Sequence, residues 1–137
     1  MPASSSPSTA PRRATSAICA VLTIAAGLIV HLRVPGIAGD IAGDALYAVL
    51  IYLLIVLVLP RVSRRIVAAL ALLFCIGIEL LQLTAVPATV NQAFPPAALV
   101  LGRGFDQRDL LVYVVAVMIV LIVDASIARA VRRRRTR

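Results

Sequence analysis

Four long apolar runs divide this chain of 137 residues, and they constrain its fold more than any other feature. They cover residues 14–32, 43–59, 66–86 and 110–128. A helix rises 1.5 Å per residue and needs about 20 residues to cross the roughly 30 Å hydrocarbon core of a bilayer, so each run approaches the length of a span. The sequence therefore predicts an all-α protein, an integral membrane bundle of four transmembrane helices.

The composition favours the same class and divides the chain into three parts. Hydrophobic residues make up 61% of the chain, more than the core of a soluble domain of this size can bury, so lipid must cover the excess. Residues 1–13 begin with a Ser/Pro-rich stretch that predicts a disordered tail. The membrane domain is predicted at residues 14–128, and an Arg-rich tail follows at residues 129–137.

The positions of the arginines predict the orientation, because loops rich in Arg and Lys stay in the cytoplasm. All fourteen basic residues are arginines, and only Arg33, Arg103 and Arg108 are external if both termini are cytoplasmic. The remaining eleven are then cytoplasmic: Arg12, Arg13, Arg61, Arg64, Arg65, Arg129, Arg132, Arg133, Arg134, Arg135 and Arg137. We therefore expect a multi-pass protein of the cell membrane with cytoplasmic termini.

The first run also fits a cleaved signal peptide, because Arg12 and Arg13 precede an apolar stretch of suitable length. We favour retention of this run as a helix, since it is long enough to cross and three further spans follow it.

The third run carries one carboxylate, Glu79, and one amide, Gln82. An ionisable group at membrane depth costs roughly 2.5 to 3.5 kcal/mol, so it normally faces a bundle interior and needs a partner. Residues three apart share a helix face, so both side chains point the same way. The partners expected for Glu79 are Gln82, Tyr47, Tyr113 or an external arginine.

Other polar residues gather at the same predicted external end. Asp44 stands at the predicted start of the second helix, and Asp106 and Asp109 stand at the start of the fourth. Helix capping accounts for these acids equally well. Asp124, near the other end, is expected to meet water or the Arg-rich tail. The candidate ligand-binding residues are Asp44, Tyr47, Glu79, Gln82, Arg103, Asp109 and Tyr113.

Several kinds of site have no support in the sequence. We expect no metal and no cofactor, because there is no Cys/His spacing of a metal site and no phosphate-binding loop. Nucleic acid is not an expected partner, since the C-terminal arginines lack aromatic residues for base stacking. Beside a helix end, such a run contacts anionic lipid, and the residues expected to do so are Arg132, Arg133, Arg134 and Arg135.

Three motifs occur in an order that resembles a known family. They are Gly43-Asp44-Ala45-Leu46-Tyr47, Glu79-Leu80-Leu81-Gln82, and Leu101-Gly102-Arg103-Gly104-Phe105 followed by Asp109-Leu110-Leu111-Val112-Tyr113. They resemble the GD-x-L, E-x-x-Q and LG-x-x-F-x-x-x-D-L-x-x-Y signatures of domain of unknown function 2809, a family of small bacterial membrane proteins. The pattern is more distantly similar to VanZ-like envelope proteins. The resemblance implies a membrane protein of uncharacterised function.

Three functions follow as hypotheses. The first is a non-enzymatic protein that binds an anionic lipid or envelope precursor in a polar pocket of the outer leaflet. The second is a structural subunit or scaffold, partnered by another membrane protein, whose polar pairs hold helices together. The third is an intramembrane enzyme that uses Glu79 as acid or base; it ranks last because no nucleophile–base pair accompanies Glu79.

Overall fold

The computed structural model describes residues 10–102 and 104–135, and within them the regular structure is entirely helical. Four helices of 18 residues or more form a bundle, and a connection of short helices joins the last two of them. The helices are α1 (Ala10–Arg33), α2 (Ile37–Val58), α3 (Arg64–Leu81), α4 (Val86–Ala93), α5 (Ala98–Leu101) and α6 (Gln107–Arg135), with a 3₁₀ turn at Pro95–Ala97.

Helices α1, α2 and α6 are each long and apolar enough to cross a membrane. Helix α3 meets this criterion only together with α4, and the two are bent by 86° at the break between them. The described chain therefore has three candidate spans, or four if the bent pair counts as one. This is compatible with a membrane protein and confirms the all-α fold class.

The core lies among α2, α3 and α6, and α1 packs along α2. Each core helix turns one stripe of residues inward at a spacing of three or four, as one face of a helix requires. Several members are alanines, which let helices approach closely. The buried apolar residues are Ala48, Tyr52, Val56, Val67, Ala68, Ala71, Cys75, Tyr113, Ala116 and Val117, with Ala20 on α1.

The helix bounds differ from those of the apolar runs. Helix α1 begins at Ala10, so residues 10–13 of the predicted disordered tail are helical. Helix α2 begins at Ile37 rather than 43, which makes the N-cap interpretation of Asp44 wrong. Helix α6 continues to Arg135, through most of the predicted Arg-rich tail. Apolar runs mark where lipid can cover a helix, whereas arginine is itself a good helix former.

The third predicted helix, 66–86, is shorter at its end because α3 stops at Leu81. Pro87 lies in the first turn of α4, where its missing N–H costs nothing, but it cannot continue α3. Thr84 supports the bend, since its hydroxyl donates to Leu81 O at 2.7 Å and accepts from Val86 N at 3.2 Å. The connection from this bend to α6 contains α4 and the shorter α5.

An ion-pair network joins the helices at the end of the bundle away from Glu79. Asp124 on α6 accepts from Tyr52 OH on α2 at 2.8 Å and pairs with Arg64 Nε on α3 at 3.0 Å. Arg12 Nη2 on α1 lies 3.6 Å from the same carboxylate. Asp124, which was expected to meet water or the Arg-rich tail, is 24% exposed and takes its described partners from the neighbouring helices, because its position on the inward stripe of α6 points it at them.

Arg12 also fixes the start of α1 to the α2–α3 turn. Its Nη1 donates to Pro60 O at 2.7 Å and to Val62 O at 3.1 Å. These carbonyls belong to the turn after α2, which ends at Val58. One guanidinium thus connects α1 to the turn and to Asp124.

We expect Arg64→Gln to lower the free energy of unfolding by about 1 kcal/mol, because it removes a partly buried partner of Asp124. Arg65→Gln is the matched control: it removes the same charge from an exposed neighbour that forms no ion pair within the described residues. Thermal unfolding in detergent compares the two. Equal melting temperatures would contradict a stabilising role for the network.

Candidate functional site

Glu79 is fully buried and lies on the same stripe of α3 as Ala71 and Cys75, four residues apart. Its carboxylate accepts two hydrogen bonds. The backbone N–H of Asp106 donates to Oε1 at 2.6 Å, and Tyr113 OH on α6 donates to Oε2 at 3.3 Å. The predicted partnership with Tyr113 is therefore confirmed, whereas the Asp106 amide is a partner that the sequence did not indicate.

The segment just before α6 is held by side chains from three helices. We call residues 100–106 the LG loop; Arg103 within it lies outside the described residues. Three successive carbonyls each accept one side-chain donor. The donors are Tyr47 OH to Val100 O at 3.0 Å, Gln82 Nε2 to Leu101 O at 2.8 Å, and Asn91 Nδ2 to Gly102 O at 2.8 Å. Together with Glu79, these groups fix the loop at four points.

Gly102 is the position where this arrangement requires a glycine. Its φ of 68° lies in the left-handed region, and a Cβ there would collide with the side-chain amide of Gln82. The Gly of the LG motif therefore lets the loop backbone reach the Gln of the E-x-x-Q motif.

Asp106 caps α6, as the capping interpretation predicted. Its Oδ1 accepts from Arg108 N at 2.9 Å, and its Oδ2 pairs with Arg108 Nη2 at 2.9 Å. Because the backbone N–H of the same residue binds Glu79, Asp106 joins the start of α6 to the buried end of α3.

Asp44 and Asp109 form a pair of facing carboxyl groups beside this loop. They project from α2 and α6 within hydrogen-bonding reach of each other. Asp109 Oδ1 is buried and has no hydrogen-bond donor among the described residues, while Arg108 Nε stands 3.8 Å away. Two carboxylates this close repel, so a proton or a cationic group between them would stabilise the pair.

The candidate residues thus divide into two groups. Tyr47 and Gln82 donate to loop carbonyls rather than to Glu79, and Tyr113 donates to Glu79, while Gln82 Oε1 is buried with no hydrogen-bond donor among the described residues. Asp44 and Asp109 face each other, and Asp109 Oδ1 receives no hydrogen bond within the described residues. Arg103 and the side chain of Arg135 lie outside the described residues, so the roles expected for them stay predictions.

The sequence reasoning missed Asn91 and the Asp124 network. Asn91 is the sole Asn in the chain and lies within a stretch that has no charged residue, which was a usable signal. Tyr52 lies eight residues after Asp44, on the same face of α2, so its inward direction was also readable. Neither signal identified a partner, because the partner of Asn91 depends on the bend after α3 and that of Tyr52 on the rotation of α2 against α6.

The chemistry open to this end of the bundle is electrostatic. Five of the six acidic residues of the chain lie in the segments that meet here: Asp40, Asp44, Glu79, Asp106 and Asp109. Within the described part of the chain, no three His, Cys, Asp or Glu side chains are arranged to hold a metal ion. Arg108 is the described cation closest to the paired carboxyls through its contact with Asp109.

Comparison with known proteins gives one match. A family model described as "Protein of unknown function (DUF2809)" matches residues 33–117, more than half of the chain. No curated protein and no solved structure matches. The matched segment begins at the last residue of α1 and ends at Val117 in α6, so it contains the LG loop and the groups that hold it.

We expect Glu79→Ala to lower the free energy of unfolding by roughly 2 to 4 kcal/mol, because it leaves the Asp106 N–H and Tyr113 OH without an acceptor. Glu79→Gln keeps one acceptor oxygen, for the Asp106 N–H, and its NH2 group can donate to the Tyr113 hydroxyl, so it should lose less. Hydrogen exchange at the Asp106 amide measures the effect locally: slow in wild type, faster in Glu79→Ala. Unchanged exchange at that amide would show that Glu79 does not hold the loop.

Gly102→Ala should destabilise the protein by about 1 to 3 kcal/mol, through its backbone conformation and the collision with Gln82. Gly104→Ala is the control within the same loop, because open space surrounds the position and its φ is not left-handed. Its effect should stay within about 0.5 kcal/mol. The measurement is the melting temperature of each variant. If both variants lower it equally, the close approach of Gly102 to Gln82 is refuted.

Proposed function

The chain belongs to the family of proteins of unknown function called DUF2809, as its motifs predicted, and we propose that it is a multi-pass protein of the cell membrane that binds a lipid headgroup or lipid-linked envelope precursor. The binding groups are Asp44 and Asp109, with Arg108 beside them. The arginine distribution supports cytoplasmic termini, which places this site at the outer leaflet.

The observation that carries the proposal is the paired carboxyl groups of Asp44 and Asp109. Asp109 has a buried oxygen that receives no hydrogen bond within the described residues, and the neighbouring Arg108 is already bonded to Asp106. Within the described residues Arg108 is the one guanidinium near the two carboxyl groups, 3.8 Å from Asp109, so the pair lacks a second positive charge. A ligand that brings an amine to this point supplies it.

The local charge refines the predicted ligand. The sequence favoured an anionic headgroup, but the acids at this end outnumber the described arginines, Arg33 and Arg108. A headgroup with both an amine and a phosphate fits better, because the amine meets Asp44 and Asp109 while the phosphate meets Arg108. Arg103 stays a candidate for the phosphate on sequence grounds alone.

The roles of the motif residues change accordingly. Glu79, Gln82, Tyr47 and Tyr113 were candidates for direct ligand contact. Since their hydrogen bonds go to the LG loop or to each other, we assign them the task of positioning the loop and the start of α6, and hence Asp109.

A structural role is the second candidate, and the internal bonding of Glu79 favours it. In that case the polar groups hold helices together, and another membrane protein covers the apolar surface. An intramembrane enzyme is less supported, because both oxygens of Glu79 are already engaged in the fold.

The binding proposal predicts selective retention of phosphatidylethanolamine over phosphatidylglycerol, which lacks the amine. In native mass spectrometry of protein released gently from its membrane, Asp44→Asn and Asp109→Asn should each weaken retention of phosphatidylethanolamine about tenfold, the equivalent of roughly 1.4 kcal/mol. Phosphatidylglycerol retention should not change.

Asp40→Asn is the matched control, since it removes the same charge from an exposed position one turn before Asp44. It should retain lipid like wild type. Wild-type spectra that show no bound lipid, or equal losses in all three variants, would contradict the proposal and direct the search to protein partners.

A further inference from the structure

The uncharged segment between Glu79 and Arg103 contains a surface that the bundle does not use. Residues 80–102 include no Asp, Glu, Arg, Lys or His. Several of their large apolar side chains are exposed, among them Leu83 at 63% and Phe94 at 61%. A water-facing helix normally carries charge on its outer face, so an uncharged one with exposed apolar groups indicates an apolar surrounding.

Helix α4 divides this segment into distinct faces. Val86 and Val90, four residues apart, and Phe94 at the C-cap are exposed along one side. Pro87 is buried, and Asn91 donates to Gly102 O, so a second side faces the protein. Gln92 is exposed and lies roughly opposite the apolar side.

The bend sets the direction of α4. Helix α4 turns 86° from α3, so it lies close to the membrane plane if α3 runs across the bilayer. Exposed apolar residues also lie along α3, where they include Leu73 and Leu80, and at the bend, where Leu83 stands. Exposed apolar side chains therefore occur on α3, at the bend and on α4.

We propose that α4 is an interfacial anchor that lies in the membrane plane, with Val86, Val90 and Phe94 inserted at the boundary between headgroups and acyl chains. Helices with one apolar side and one polar side bind that boundary. The inference rests on the membrane placement in the proposed function, but not on the identity of the ligand. Because Asn91 binds the LG loop, the anchor fixes the depth of that loop in the leaflet.

The absence of Trp from the chain permits a direct measurement, because a single introduced Trp reports only its own position. Three variants are compared in phosphatidylcholine vesicles: Phe94→Trp, Gln92→Trp, and Leu73→Trp as a lipid-facing position in the middle of α3. The quenchers are lipids brominated near the headgroup, lipids brominated near the chain end, and aqueous iodide.

The expected result is a separate quencher for each reporter. Phe94→Trp should be quenched most by bromine near the headgroup (shallow bromine), and Gln92→Trp should be quenched most by iodide. Leu73→Trp should be quenched most by bromine near the chain end (deep bromine). If iodide is the main quencher of Phe94→Trp, α4 lies in water. If deep bromine is the main quencher, α4 is a re-entrant helix. Protection of Phe94→Trp from all three would mean a protein cover, such as a second copy. Each of these three outcomes overturns the proposal.

The Leu73→Trp reporter separates this inference from the proposed function. If deep bromine does not quench it, the membrane placement fails, and both proposals fail with it. If deep bromine quenches it while Phe94→Trp gives one of the contrary results, only the anchor is refuted. Lipid retention by the Asp44–Asp109 pair is measured independently of either outcome.

Discussion

The fold depends on how one fully buried carboxylate obtains its hydrogen bonds. Glu79 has no exposed surface, so its donors must come from the protein, and a buried charge without them is strongly unfavourable. One donor is the side chain of Tyr113, but the shorter bond comes from the backbone of Asp106. The chain must therefore bring its own backbone to Glu79 immediately before α6 begins. This requirement fixes the path of the LG loop and, through it, the position of α6 against α3.

The inward stripe of α6 has a carboxylate near each end and small or apolar residues between them. Asp109 and Asp124 lie on this stripe about 22 Å apart along the axis, with Ala116 and Val117 buried between them. At one end Asp124 has a phenol and two guanidinium groups around it. At the other end Asp109 faces Asp44. Within the described residues, the carboxylate at one end of this helix face thus has two guanidinium groups beside it, whereas the two carboxyl groups at the other end have one, that of Arg108.

The apolar runs predicted the helical class and the approximate number of long helices, because hydrophobic length is a local property. The contact of Glu79 with Tyr113 was also predictable, since both residues lie on inward faces near the same end. The Asp106 amide, the Asn91 contact and the Asp124 network were not. Each depends on the bend at residues 82–85 or on the rotation of one helix about another, which spacing along the chain does not determine. The ends of α2 and α6 were misjudged because polar residues continue a helix beyond its apolar part.

The motif residues explain why a family signature need not be a ligand-contact list. Glu79, Gln82, Gly102 and Tyr113 are constrained because each supplies or permits one contact of the LG loop. Their combined effect is to hold the start of α6, and so Asp109, against α2. If these contacts existed only for stability, a uniformly apolar core would serve as well or better, since buried polar groups often cost more than they contribute. An apolar core cannot hold two carboxyl groups together at the end of a bundle, and in the proposed function that pair meets the amine of a lipid headgroup.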